Sequence, residues 1–428
     1  MIKKFINARL ITMEGKPEVI ENGTVIVKDD KILFAGKGED ASKAYDGDAD
    51  IENDCKGNIL MPGFKNAHTH TAMTLMRSYA DGLPLQDWLT QKIFPLEAKF
   101  TGEQIYTFTK LGILEYLTSG ITACFDMYLA PEETARACSD MGFRCVQCGN
   151  VNNFSSSVEN MERLYDSLNN SDPLNSYILG CHAEYTCSEE LLKDIASLAE
   201  KKKAPVFLHA NETKKEVDEC EERHGKKVIT YLDSLGLFNY GGGIYHGVHV
   251  TDEEMDILEK KNISVVLNPG SNTKLASGIA PVTEYLKRGI NTALGTDGPS
   301  SNNCLDMFRE MFLATGLSKL RDGNASAVPA EEVLKMATVN GSDCMGLENA
   351  RTLTAGQQAD MVMLDMHAPN MRPVNDVLSN IVYSGSKSNV LMTMVAGRIL
   401  YESGEFPHCD KEKIYSEAEN IQKELGLL

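Results

Sequence analysis

The chain has 428 residues, 42% of them hydrophobic and 24% charged, which are ordinary proportions for a globular protein with a large buried core. Sixty-one acidic against 42 basic residues leave a formal net charge of −19, which argues against nucleic acid or an anionic membrane surface as a partner. The length exceeds one small domain and suits a barrel with an accessory domain.

The N-terminus, Met1-Ile2-Lys3-Lys4-Phe5, opens no apolar stretch of signal-peptide length, and no uninterrupted run is long enough to span a bilayer. Eleven cysteines are scattered without framework spacing, several inside apolar runs (Cys124, Cys145, Cys181), as reduced thiols would be. A soluble cytoplasmic protein is expected, and its oligomeric state is left open.

Residues 1–58 hold short strand-like runs at 5–11, 24–27 and 31–36, separated by Glu21-Asn22-Gly23 and Lys28-Asp29-Asp30, which is hairpin sequence. A matching set returns at 359–364, 377–383 and 390–395. Two strand-rich ends predict one composite β-sandwich from residues 1–58 and 353–428. Between them, 59–352 alternates apolar runs (59–64, 121–126, 143–149, 177–183, 205–210, 243–250, 263–268 and 292–296) with amphipathic stretches such as 189–202, 253–261 and 282–287. Eight βα units predict an α/β fold, a parallel (β/α)8 TIM barrel, whose chemistry sits at the strand C-terminal ends. An open doubly wound sheet is the alternative, but no G-x-G-x-x-G follows an early strand.

The polar residues fall where that rule puts them. His68 and His70 follow the first run at spacing i, i+2, so on extended backbone both imidazoles aim at one point. His209 ends the fifth run with Glu212 three residues on, His246 ends the sixth, and Asp297 ends the eighth. Any one histidine alone is more often structural than a ligand. Three imidazoles (His68, His70, His209) and a carboxylate (Asp297) converging on one barrel mouth leave an open coordination position, as a catalytic metal site needs.

H-x-H after the first strand, histidines at the fifth and sixth and aspartate at the eighth resemble the amidohydrolase superfamily. Within it, the chain resembles the methylthioadenosine/S-adenosylhomocysteine deaminases and their chlorohydrolase relatives. The resembling phrases are Met61–His70, His209-Ala210-Asn211-Glu212-Thr213, Asn268–Gly278 and Gly295–Asn303. The resemblance implies a distorted barrel with a sandwich from both termini. Binuclear members use a bridging carboxylate, often a carboxylated lysine at the fourth strand. Here that strand ends Gly180-Cys181-His182-Ala183-Glu184, so one divalent metal is expected, zinc first, with iron(II) and manganese also compatible.

The resemblance also implies roles. Asp297 would ligate the metal and take the water's proton, His246 would hold that water, and Glu212 would carry a proton to a ring nitrogen. His182 would contact the purine, Trp88 would pack near the substrate, Glu97 would grip the ribose hydroxyls, and Arg144 would meet a substrate carboxylate. No second arginine stands in the loop 152–157, which favours a neutral 5′-substituted adenosine. The expected activity is deamination at the purine 6-position of a small nucleoside. Alternatives are removal of an amino or chloro group from another N-heteroaromatic ring (guanine, triazine or pterin) and, more remotely, a non-catalytic scaffold. A scaffold has no need of the complete set His68, His70, His209, Glu212, His246 and Asp297.

Other motifs read as structural. Cys145-Val146-Gln147-Cys148 lies within a strand, where i and i+3 face opposite sides. His182-Ala183-Glu184 matches the H-x-E of cytidine-type zinc deaminases but lacks their downstream P-C-x-x-C. His224, His249, His367 and His408 show no partner pattern. His249 competes with His246, and the strand end favours the latter.

Overall fold

The structure, a computed structural model, describes residues 1–427. Its N-terminal strands are β1 (Ile2–Ile11), β2 (Val19–Lys28), β3 (Lys31–Lys37), β4 (Ile51–Asp54) and β5 (Ile59–Pro62). Eight parallel strands follow: β6 (Phe64–Thr69), β7 (Ile121–Asp126), β8 (Arg144–Cys148), β9 (Asn175–Ala183), β10 (Val206–Ala210), β11 (Gly242–His246), β12 (Ile263–Leu267) and β13 (Thr292–Leu294). They pair in sequence order with helices between them, as a (β/α)8 barrel requires. β6 and β13 meet by side chain and loop: the Asp297 amide donates to His68 O at 3.0 Å, and Thr296 N to Asn66 Oδ1 at 2.9 Å.

The strands β14 (Met361–Leu364), β15 (Val390–Val395) and β16 (Arg398–Glu402) join the N-terminal set in one continuous eight-stranded sheet. Its order is β16-β15-β14-β5-β1-β2-β3, with β4 beside β1. Both chain ends thus build the accessory layer.

Two segments differ from expectation. The run 59–64 is not the first barrel strand: Ile59–Pro62 pairs antiparallel with β14, and the barrel begins at Phe64, which pairs with β7. The chain changes sheets at Gly63, where a Cβ would stand 2.1 Å from Thr122 Cγ2, so only glycine fits. His68 is consequently on β6 and His70 just past its end. The second segment, 377–383, is helical rather than extended. Asp376 caps it, accepting Ser379 N at 2.7 Å, and Val377 and Ile381 bury one face at spacing i, i+4. A short apolar run fits either period.

The barrel strands alternate as their pleat demands. On β7, Ala123 and Phe125 fill the barrel with Phe207, Tyr245 and Val266, while Cys124 packs outward under the helices. Cys145 faces outward and Cys148 inward, so the C-x-x-C is split between two cores, and all eleven cysteines are free.

Candidate active site

The C-terminal strand ends open into a cavity of about 570 Å³ lined by His70, Trp88, Glu97, His182, His209, Glu212, His246 and Asp297, among others. Every site residue named from sequence except His68 and Arg144 borders it. His68 lies directly beneath, fully buried, its ring stacked on Tyr245 at 3.7 Å.

Backbone acceptors fix two of these imidazoles. His209 Nδ1 meets His182 O at 2.7 Å, and His70 Nδ1 meets Met127 O. Each Nδ1 therefore carries the proton, and each Nε2 presents a lone pair inward. His209 Nε2 lies 3.2 Å from His68 Nε2, and Asp297 Oδ1 lies 3.6 Å from His68 Nε2 and 3.2 Å from His70 Nε2. Burial holds His68 and His209 well below the ordinary histidine range, so both are neutral. Burial also presses on His70, but the Asp297 carboxylate outweighs it and raises His70 to about 9. The carboxylate thus favours positive charge among these groups, which a divalent cation would supply with the His70 Nε2 lone pair left free. His68 Nδ1 is buried without a hydrogen-bond partner among the described residues. Lone pairs and a carboxylate converging in a dry pocket fit a divalent metal.

Around this cluster stand further buried carboxylate, imidazole and hydroxyl groups. Asp297 Oδ2 accepts Ser271 Oγ at 2.6 Å and Ser301 Oγ at 2.9 Å, while Oδ1 accepts Gly298 N at 2.7 Å. His246 Nδ1 meets Asn272 Oδ1 at 2.8 Å, and its Nε2 lies 3.8 Å from Glu212 Oε2. Glu212 accepts Ser277 Oγ at 3.1 Å, and burial raises its pKa above the usual carboxylate range. Backbone strain accompanies the site: His246 (φ 77°) and Asp297 (φ 58°) hold left-handed conformations, a cost of about 1–3 kcal/mol each, which the surrounding structure must overcome.

Several of these partners were not assigned from sequence. Ser271, Asn272, Ser277 and Ser301 lie inside the motif phrases, but spacing alone does not say which atom each one holds. Glu216 caps the helix Lys214–His224 in a box with Thr213 and also accepts the Asn211 and Glu212 amides at 3.0 and 2.9 Å, fixing the loop that presents Glu212. Here the signal was available as T-x-x-E. Fully buried Glu310 ties Gly270 N to the Asn302 side chain, joining the loops after β12 and β13.

Arg144 is a correction. It begins β8, at the barrel's opposite end, and its guanidinium is bound to Asp360 through Nε (2.7 Å) and Nη2 (3.1 Å). It does not border the cavity and cannot meet a substrate there. His249 is also elsewhere, with Nε2 on Ser277 O at 2.7 Å.

Residues 59–400 match the family model for the amidohydrolase family. A 5-methylthioadenosine/S-adenosylhomocysteine deaminase of Caldanaerobacter subterraneus is 39% identical over 427 residues, covering 98% of this chain and 97% of that protein. A 5′-deoxyadenosine deaminase of Methanosarcina acetivorans is 38% identical over 426 residues, with 98% and 97% covered. The crystal structure of an adenosine deaminase from Xanthomonas campestris with bound zinc superposes with a TM-score of 0.94 at 30% identity, covering 100% of this chain and 99% of the other. With the match spanning most of the sequence and the relatives covering nearly all of it, this chain belongs to the amidohydrolase family.

Proposed function

We propose that the chain is a mononuclear metal-dependent aminohydrolase that converts the 6-amino group of an adenosine derivative to the inosine-type oxo group, releasing ammonia. The observation that carries this is the placement of Glu212, His246 and Asp297 around one ligand cluster at the floor of a nucleoside-sized cavity. The deaminase names of the relatives above supply the substrate class.

His68, His70, His209 and Asp297 would hold the ion, with zinc favoured by the donor set and by the zinc in the Xanthomonas relative. When bound, a divalent cation supplies Lewis acidity that brings the pKa of water from 15.7 toward ~7. The remaining steps belong to the chain. Asp297, oriented by Ser271 and Ser301, takes the proton of the attacking water. His246, its tautomer set by Asn272, turns Nε2 toward that water. Glu212, protonated more readily than an exposed carboxylate, gives its proton to a ring nitrogen and makes C6 electrophilic. Water adds at C6, Asp297 passes the proton it took to the amine, and as ammonia leaves the C6 hydroxyl proton returns to Glu212, leaving the oxo group. His182, held neutral by burial with its pKa lowered to about 4, faces the heterocycle, while Trp88 packs against the nucleoside and Glu97 accepts from the ribose hydroxyls.

Among the described residues no helix is long and apolar enough to cross a membrane. The free thiols suit a cytoplasmic setting. The test follows adenine-to-hypoxanthine absorbance with adenosine, 5-methylthioadenosine, S-adenosylhomocysteine and 5′-deoxyadenosine, alongside metal analysis. Turnover of at least one, lost on chelation and restored by a divalent ion, is expected. Inertness toward all four, with guanine, triazine or pterin turned over instead, would refute the substrate class.

A further inference from the structure

We infer that the cavity selects adenosine derivatives whose 5′-substituent is uncharged and apolar, and that Phe154 is the side chain that grips it. This rests on the adenosine-deaminase reading above and extends it to the other end of the substrate.

The first observation is electrostatic. Among the described residues, neither lysine nor arginine lines the cavity, whose acidic members are Glu97, Glu212 and Asp297. Cations close in sequence are committed elsewhere. Arg163 forks onto Glu132 at 2.9 and 3.1 Å, Lys274 pairs with Asp81, and Arg144 is locked to Asp360. Lys92 is exposed and lies outside the lining. A carboxylate or phosphate held beyond the ribose in such a site loses water and gains no lysine or arginine counter-charge.

The second observation orients the ligand. C6 must face the floor at Glu212 and Asp297, which sends the ribose toward Glu97. Tyr128 lies beside that position, its buried hydroxyl next to the Glu97 carboxylate but without a hydrogen bond within 3.5 Å among the described residues. This is a donor or acceptor suited to a sugar hydroxyl. Tyr128 follows β7, and the neighbouring strand β8 runs into the loop 150–157, so a group extending beyond the ribose meets that loop.

The third observation is the loop's tip. Phe154 is 84% exposed, the most solvent-exposed large hydrophobic side chain described, yet it borders the cavity. Its turn is built to hold it there. Asn152 Oδ1 accepts the Phe154 and Ser155 amides at 2.9 and 3.0 Å, and Asn152 Nδ2 donates to Ser155 Oγ at 2.8 Å. Phe94, 38% exposed, borders the same cavity from the segment after β6. An exposed aromatic on a fixed turn gains most when an apolar group covers it.

The experiment compares kcat/KM of the metal-loaded enzyme for 5-methylthioadenosine, 5′-deoxyadenosine, S-adenosylhomocysteine and adenosine 5′-monophosphate. The neutral pair should exceed the zwitterionic S-adenosylhomocysteine and the phosphate by at least about tenfold, in line with unpaired charged groups in a partly desolvated site. Phe154→Ala should lower the 5-methylthioadenosine to 5′-deoxyadenosine ratio several-fold, and Ser155→Arg should raise relative turnover of S-adenosylhomocysteine. Lys92→Ala serves as the control and should change no ratio. Comparable kcat/KM for S-adenosylhomocysteine and 5-methylthioadenosine, or a Phe154→Ala ratio equal to wild type, would overturn the inference while leaving the deaminase reading intact. No turnover of any adenosine would overturn both.

Discussion

Replacing Glu212 by glutamine tests the proton transfer proposed for it apart from the rest of the site. Glu212 is buried, touches Ser277 Oγ at 3.1 Å and stands 3.8 Å from His246 Nε2, and it contributes no atom to the ligand cluster. Glutamine has the same length, its Oε1 can still accept from Ser277, and the loop amides remain bound to Glu216. Folding and metal content should therefore stay at wild-type values. What is lost is the transferable proton. General acid–base steps contribute about 10²–10⁴-fold, so kcat should fall by that factor, or about 2.7–5.4 kcal/mol in the barrel's transition-state stabilisation. The assay is the absorbance change of adenine to hypoxanthine under saturating substrate, with metal quantified on the same sample. A fully metal-loaded Glu212→Gln enzyme within about threefold of wild type would show that another group carries the proton.

Two further outcomes test the supporting residues. Asn272→Leu removes the acceptor for His246 Nδ1, a 2.8 Å contact, and should lower kcat about 10–100-fold with little change in KM, while Asn272→Asp retains most activity; matched kcat values for wild type and the leucine variant would dismiss the tautomer role. Burial raises Glu97 to about 7, so below that pH it is protonated and loses acceptor capacity toward a diol. KM should rise as pH falls through about 7, and Glu97→Gln should flatten the KM profile; a KM in wild type independent of pH across that window would remove Glu97 from the binding step.

The site was more legible in the sequence than the edges of the elements that carry it. His68, His70, His209, His246 and Asp297 stand out because their chemistry is rare in apolar runs and because a barrel gathers strand ends. Where β5 stops and β6 starts was hidden, since 59–64 reads as one apolar run and only Gly63's contact with Thr122 reveals the change of sheet. Val377–Tyr383 was misread for a related reason: seven residues with three buried apolar positions fit a strand period as readily as a helix period, and the cap at Asp376 decides it. Arg144 failed because a guanidinium's partner is set by tertiary structure. Asp360 is 216 residues away in the chain, and no local pattern joins them.

That pairing makes its own prediction at the barrel's lower end. Arg144 and Asp360 are 4% and 1% exposed, and Lys65, with no exposed surface, adds a second cation whose Nζ reaches only neutral acceptors, Gly63 O at 3.0 Å and Thr122 Oγ1 at 2.8 Å. Asp360 is held below the usual carboxylate range despite its burial, because Arg144 and then Lys65 favour its charge. Asp360→Asn strands two cations in the core and should destabilise the fold by about 3–5 kcal/mol, whereas an Arg144→Met/Asp360→Leu pair should lose much less than the sum of its single changes. Neither should alter KM in the molecules that remain folded, because the cluster does not border the cavity. Burial lowers Lys65 from 10.5 to about 8, so its charged form is penalised in the fold. Between about pH 8 and 10.5 the unfolded chain binds the extra proton, and the penalty, about 3 kcal/mol when complete, is relieved as pH rises. Buried tyrosines and cysteines titrate in the same range, so the readable quantity is the difference between wild type and Lys65→Met. Denaturant midpoints at pH 7.5 and 10 should converge less favourably for the methionine variant, its advantage over wild type shrinking as the lysine discharges. A wild-type-minus-variant difference that is flat with pH would mean the lysine keeps its proton in the folded and unfolded chain alike across that range, and a raised KM in Arg144→Met with unchanged stability would return that arginine to the substrate.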